Sequence, residues 1–547
     1  MRIISSLCLS LTIVTTAAAQ GGPPPPPPPA GNAITPQKIQ LGKALFWDEQ
    51  LSSTGTSACA SCHIPTAGGS DPRTVGGPAS TNPGPDGDFG TPDDIFGSPG
   101  VPKSEADGSY ILDEFFGLRP QVTGRKSPTM INAAYSPNVL FWDGRADGSF
   151  EDPITGVTLL ATRAALENQA AGPPTSDVEM AHFGADWSAV VARIEAVTPL
   201  ALASDLPGDL AAFINGRTYP QLFADAFGTP GVSAARICMA IATYERTLIA
   251  VDAPFDAFIA GQPGALTQQE AQGFQIFTGP GRCIVCHGGP LFTDNNFHYT
   301  GVRPPGEDLG RFLIDNDPGH RGSFKTPTLR NVELRAPFFH NGRFASLEEV
   351  VAFYNRGGDF DAPNKAPAVA PIGLNAQQRA ALVAFLRRPL TDPRVQDGSP
   401  PFDGPTLYGQ STNQPTFYGV PTAGTGGFVP NIVAIEPPKL GNTNMTVAVE
   451  GGLGGAPALF AVDLVADEQG TLFYGARLHL ARTGALHLYR AGTLDGVGPG
   501  NGYESVMLDV PNDPTLLGTS LFGQWVILDA GAPGRFSMSR GVRFNWF

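Results

Sequence analysis

CASCH at residues 59–63 and CIVCH at residues 283–287 decide how the rest of the chain is read. Each packs two thiols and an imidazole into five residues, in a chain that has only 6 Cys and 8 His. At that composition chance supplies on the order of a thousandth of one C-x-x-C-H. In this motif both thiols add to the vinyl groups of a haem and the histidine gives the iron one axial bond, so a single turn of peptide tethers and orients the cofactor. Zinc would require further ligands for each Cys pair, and thioredoxin-like exchange would not require the histidine. Disulfides are the structural alternative for four of these cysteines in an oxidising compartment. The spacing predicts two covalently bound c-type haems, one on Cys59, Cys62 and His63 and one on Cys283, Cys286 and His287.

A haem iron with both axial positions filled mainly transfers electrons, whereas an open position binds peroxide. No histidine lies between His63 and His182, and Met130 sits in SPTMINAAY, which reads as packing, so the first iron is expected to be open or water-bound. No methionine lies between Met239 and Met445, which excludes a local His/Met pair on the second iron. Its candidate ligands are His298, His320, His340 and the tyrosines.

The surroundings set the compartment and the partners. The 547 residues carry a net charge of -15, which excludes nucleic acid and an anionic membrane surface and suits a basic protein partner. Arg2, the apolar run Ile3–Val14 and Ala17–Ala19 predict a secretory leader (residues 1–19) that is too short to span a bilayer, hence a periplasmic or secreted protein. The Pro-rich linker at 20–34 contains seven prolines that should form a stiff spacer holding the body away from the N-terminus.

Helices are predicted from Thr35-Pro36 through KIQLGKALFWD, over 232–250 with Cys238 as a buried inert thiol, after the Thr267-x-x-Glu270 capping box, over 346–356 and over 375–388. The acidic stretch PDGDFGTPDD (85–94) lacks the EF-hand pattern and reads as a solvated loop. Beyond a Pro/Gly-rich linker, alternating runs such as MTVAVEG, ALFAVDLV and QWVILDA predict an all-β sandwich of roughly eight strands.

Over about residues 35 to 390 the ordered motifs LGKALFWDEQLSSTGTSACASCH, FWDGRA (141–146), ENQAAGP (167–173), VEM (178–180), FKTPTLRNV (324–332) and APFFHNGRFASLEEVV resemble the bacterial di-haem cytochrome c peroxidase and MauG family. The resemblance implies a mainly α fold with two cytochrome c-like haem domains. The peroxidatic one is expected at 35–230 and the electron-transfer one at 231–395; a linker at 396–427 and the all-β sandwich-like C-terminal domain at 428–547 follow. It places Trp142, Gln169 and Glu179 around the first haem, with Glu179 as the distal acid/base. His340 matches a histidine fourteen residues before the second haem's distal ligand, and that offset lands on Tyr354, where ordinary peroxidases of the family have Met and MauG has Tyr. A phenolate favours oxidised iron and lowers its potential, which suits a centre that helps to store oxidising equivalents.

The implied activity is reduction of hydrogen peroxide with electrons from a small c-type cytochrome or copper protein. The alternatives are a MauG-like oxidation of a protein or organic substrate and a non-catalytic di-haem electron carrier. Four departures bear on the choice. The peroxidases' loop histidine on the first haem is missing, as in MauG, and an insertion separating FWDGRA from ENQAAGP is expected to reshape the distal wall. Gly281 stands where MauG has a tryptophan that carries electrons towards its protein substrate, and Lys126 stands where the family has an Asn that binds calcium between the haems. The β domain reads as an adhesion, docking or scaffold element.

Overall fold

The computed structural model describes residues 22–547, so the leader expected at 1–19 lies outside them. The proline run does not hold the body at a distance. The Tyr135 hydroxyl donates to the Pro23 carbonyl at 2.7 Å and the Arg163 guanidinium donates to that of Pro27. A polyproline strand has no N–H partners for its carbonyls, and here side chains of the folded body use them.

A first helical unit comprises α1 (Pro36–Trp47), α2 (Cys59–Cys62), α3 (Ala165–Ala170), α4 (Trp187–Ala196), α5 (Gly208–Ile214), α6 (Tyr219–Phe227) and α7 (Ala234–Glu245). Helix α1 starts where predicted: Thr35 Oγ1 accepts from the Lys38 N–H and proline occupies the first turn. Its apolar face joins a single core that runs from Leu41 to Ala250 and includes Cys238, which is fully buried. Helices α1 and α7 touch at Gly42, where a Cβ would lie 1.9 Å from the Ala240 carbonyl oxygen. That contact puts α7 in the first core, although the sequence reading opens the second unit at 231.

The second unit comprises α8 (Pro254–Ile259), α9 (Gln268–Thr278), α10 (Phe312–Asp315), α11 (Leu347–Arg356) and α12 (Ala376–Leu386). The capping boxes at Thr267/Glu270, Ser346/Glu349 and Asn375/Gln378 start α9, α11 and α12. Phe255, Phe274, Phe277, Phe292 and Phe385 pack mostly edge to face in its core. At Gly273 α9 meets α12, and a Cβ there would lie 2.0 Å from the Ala381 carbonyl oxygen. After α13 (Pro393–Asp397) the chain returns to the first core through Phe402 and Leu407.

The segment expected to be a linker at 396–427 is pinned along its length. Asp403 pairs with Lys43 at 2.9 Å, the Tyr408 and Gly409 N–H groups donate to Glu49, and the Tyr408 hydroxyl donates to the carbonyls of Ile435 and Glu436. Eleven strands follow or interrupt it: β1 (Thr416–Tyr418), β2 (Asn431–Val433), β3 (Met445–Gly454), β4 (Pro457–Asp463), β5 (Ala466–Phe473), β6 (Ala476–Leu480), β7 (His487–Thr493), β8 (Gly498–Leu508), β9 (Ser520–Leu528), β10 (Phe536–Met538) and β11 (Gly541–Asn545). They form an antiparallel sheet in the order β7-β4-β9-β11-β1 with β10 beside β9, a second sheet β2-β3-β8, and the hairpin β5-β6. Val447, Val449, Phe460, Trp525, Ile527 and Phe544 fill the space between the two larger sheets. Helix is 28 % and strand 20 % of the chain, so "mainly α" describes the part before residue 400 and the whole is mixed.

The β part is clamped to the helical part. Residues 104–121 lie on the sheet β2-β3-β8, with Tyr110 and Leu118 buried against Val433 and Ala448. The Tyr110 hydroxyl donates to Glu436 and the Leu118 N–H to Glu450, both at 2.9 Å, while the Thr446 hydroxyl donates to the Gly108 carbonyl. Among the described residues no helix is long and apolar enough to cross a membrane.

Candidate active site

Each motif folds as one helical turn, with the His63 N–H donating to the Cys59 carbonyl (3.1 Å) and the His287 N–H to that of Cys283 (2.9 Å). Positions i, i+3 and i+4 of a turn share a face, so both thiols and the imidazole of each motif point to one side. Cys59, Cys62, Cys283 and Cys286 are all free thiols, which removes the disulfide alternative. His63 Nδ1 lies 3.3 Å from the Gly69 carbonyl and His287 Nδ1 lies 2.8 Å from that of Phe292. A carbonyl partner fixes the proton on Nδ1 and leaves the Nε2 lone pair for a metal. Burial pushes both imidazoles below the usual histidine range, which keeps them neutral and able to ligate.

Two cavities hold these motifs. One is lined by Cys59, Cys62, His63, Arg145 and Glu179, and the other by Cys283, Cys286, His287, His298 and Tyr354. His63, Lys126, Trp142, Gln169 and Glu245 border both and form a common wall. Trp142 is locked there, its Nε1–H donating to the Lys126 carbonyl at 2.7 Å.

In the first cavity burial raises the Glu179 carboxyl above its ordinary range, and the Arg145 charge partly offsets this. Arg145 is itself held by Asp143 at 3.0 Å and lies 3.7 Å over the Phe141 ring. The turn carrying Glu179 is braced from the clamped loop, since the Val101 N–H donates to the Val178 carbonyl. The insertion after FWDGRA does not reshape this wall. It folds into a hairpin, Phe150–Glu151 against Thr158–Leu160, that buries Phe150 and Leu160 in the first core and exposes Ile154 and Val157.

No motif in the sequence marks Glu245. It ends α7, is 4 % exposed, and its carboxyl makes no hydrogen bond among the described residues although it borders both cavities. Burial raises its pKa to about 8, so it carries a proton at neutral pH. The one sequence signal was an acid on the apolar face of ICMAIATYE.

In the second cavity the Tyr354 hydroxyl has no protein partner among the described residues and shares its space with Cys283, Cys286 and His287. Burial pushes the phenol up, so it keeps its proton unless a cation takes the oxygen. Two of the competing histidines are held by carboxylates and the third packs on an aromatic ring. His298 Nε2 meets Asp294 and His320 Nδ1 meets Asp315, each at 2.8 Å, while His340 is buried and stacked 3.6 Å from the Phe324 ring.

These donor sets fit a haem at each motif: two free thiols, one available imidazole nitrogen and an adjoining cavity. The calcium position does not fit. Lys126 is 4 % exposed and its ammonium donates to Ser70 Oγ, placing a cation where a divalent ion requires oxygen ligands.

Two such seats across one wall, one beside a carboxyl and the other beside a phenol, define a protein with two haem centres. The family model described as di-haem cytochrome c peroxidase matches residues 36–264. The methylamine utilization protein MauG of Methylorubrum extorquens is 32 % identical over 367 residues, covering 66 % of this chain and 80 % of that protein. Cytochrome-c peroxidase IdrP2 of Denitromonas iodatirespirans is 30 % identical over 385 residues, covering 65 % and 82 %. The crystal structure of a MauG-like protein associated with microbial copper homeostasis superposes with a TM-score of 0.50 at 26 % identity, covering 72 % of this chain and 98 % of that one. The chain belongs to the di-haem cytochrome c peroxidase and MauG family.

Proposed function

We propose that the protein is an exported di-haem peroxidase that reduces hydrogen peroxide with electrons from a small c-type cytochrome or copper protein. Cys59, Cys62 and His63 would hold the haem that supplies the peroxide chemistry, and Cys283, Cys286 and His287 would hold the haem that supplies electron entry, each attached covalently in its own cytochrome c-like domain. The observation that carries this reading is the asymmetry of the cavities: Glu179 borders only the first and Tyr354 only the second.

When bound, the haem irons supply the redox equivalents and the place where peroxide is held. Reduction takes H₂O₂, two electrons and two protons to two waters. Heterolysis of the O–O bond requires a proton to move from one peroxide oxygen to the other, so that the leaving oxygen departs as water. Glu179, raised by burial and tempered by Arg145, carries that proton, and the Gln169 amide orients the peroxide by hydrogen bonding. Trp142, fixed by the Lys126 carbonyl, closes the wall between the two cavities.

Glu179→Gln keeps the shape and removes the proton carrier. It should retain two haems while peroxide-dependent oxidation of a reduced cytochrome falls by about 10²-fold or more in kcat. Wild-type turnover in this variant would refute the role of Glu179, whereas a wild-type protein that holds two haems and shows no peroxide-dependent turnover would leave an electron carrier as the better reading.

Tyr354 favours a second reading, MauG-like oxidation of a protein or organic substrate. Gly281 counts against it, because a Cβ there would lie 2.6 Å from the Ile276 carbonyl oxygen and no tryptophan fits.

A further inference from the structure

Six cations are deeply buried among the described residues, and four of them meet either a carboxylate or two oxygens. Arg246 meets Glu167 and Arg330 meets Asp256 through paired bonds of 2.7 to 2.8 Å, and Lys43 meets Asp403 at 2.9 Å. Lys38 is held by Asn32 Oδ1 and the Ala33 carbonyl, both at 3.2 Å. The two exceptions are Lys126, whose ammonium has only Ser70 Oγ, and Arg335, 8 % exposed, whose guanidinium has only the Thr328 carbonyl. A third cation, the half-buried Lys325, has no acceptor for its ammonium among the described residues. None of the three forms an ion pair with a carboxylate among the described residues, and all three line the cavity that also holds His63 and His287.

Chains do not retain unanswered buried charge without cause, since its desolvation is unfavourable unless an opposite charge is present in the working molecule. We propose that Lys126, Lys325 and Arg335 form a cationic seat for carboxylates of the bound haems, namely their propionate groups, at the wall between the two centres. Protein charge thus does there what an inorganic cation would otherwise do, which accounts for the misfit of calcium at Lys126. The proposal rests on reading the two C-x-x-C-H motifs as haem seats. Lys325 ties this seat to the wall directly, because its backbone N–H donates to the Trp142 carbonyl at 2.7 Å.

Removing a positive charge beside a haem disfavours the reduced state, so its midpoint potential falls. The test uses the full-length holoprotein and its Lys126→Met, Lys325→Met and Arg335→Met variants, with haem content measured in each sample. Spectroelectrochemical titration should show two haems per chain and a lowered midpoint potential in every variant, with Lys126→Arg restoring the wild-type value. EGTA should leave the wild-type spectra and potentials unchanged, with less than one calcium per chain by elemental analysis. Unchanged potentials in all three variants with two haems bound would overturn the proposal, as would stoichiometric calcium whose removal alters the spectra. A free anion as the true occupant would show itself, against the proposal, as wild-type potentials that shift with added acetate or phosphate. Wild-type protein with fewer than two haems would instead refute the haem-seat reading beneath it. Should the methionine variants fail to fold, the chelator, calcium and anion measurements on the wild type decide alone.

Discussion

Tyr354 stands in the second cavity beside the CIVCH motif. Its offset from His340 and the lack of nearby methionine identify it in the sequence, and its oxygen shares a cavity with Cys283, Cys286 and His287. Tyr354→Met should raise the midpoint potential of the haem at His287 and change its low-spin absorption and EPR signals, because a thioether favours reduced iron more than a phenolate does. Identical spectra and potential in the variant would remove Tyr354 from the coordination shell. Residues such as Cys59, His63 and Glu179 are legible because their motifs are local. Glu245, Lys325 and Arg335 are not, because their significance lies in being ionisable and without a paired countercharge inside the fold, and burial is decided by contacts far away in sequence.

At the scale of elements, the predicted helix starts at Thr35, Thr267, Ser346 and Asn375 are present with their caps, since a cap is chemistry among neighbours in the chain. Which core a helix joins is another matter. Helix α7 belongs to the first unit through a backbone contact at Gly42, and no periodicity in 232–250 announces that partner. The matching crossing of α9 and α12 at Gly273 gives a test. Alanine improves intrinsic helix propensity by about 1 kcal/mol over glycine, yet its Cβ would meet the Ala381 carbonyl oxygen at 2.0 Å and force the helices apart. Overpacking of this kind costs about 1–3 kcal/mol, so Gly273→Ala should lower the urea midpoint of the holoprotein. A midpoint that holds or rises would mean that the two helices separate without loss.

For the whole molecule, the sequence announced strands after residue 428 but not their attachment. The β part reads as a tethered accessory, whereas the loop 104–121 is buried on its sheet and continues at Gly100 and Val101 into the turn that carries Glu179. The clamp includes a titratable group. Glu436 is buried, accepts from the Tyr110 hydroxyl and the Thr446 N–H, and burial raises its pKa from 4.5 to about 8. Below pH 4.5 the carboxyl is protonated folded and unfolded alike, and the clamp is at full strength. Between pH 4.5 and about 8 only the unfolded chain releases the proton, so stability drains at up to about 1.4 kcal/mol per pH unit and the loss is complete above that range. Glu436→Gln mimics the protonated acid at every pH and abolishes this one contribution. Its urea midpoint should therefore fall less between pH 6 and pH 8.5 than that of the wild type, with other titrating groups common to both proteins cancelling in the comparison. Parallel profiles would show that Glu436 does not hold its proton in the folded protein, and the carboxylate would then serve the clamp only as an acceptor for the Tyr110 hydroxyl and the Thr446 N–H.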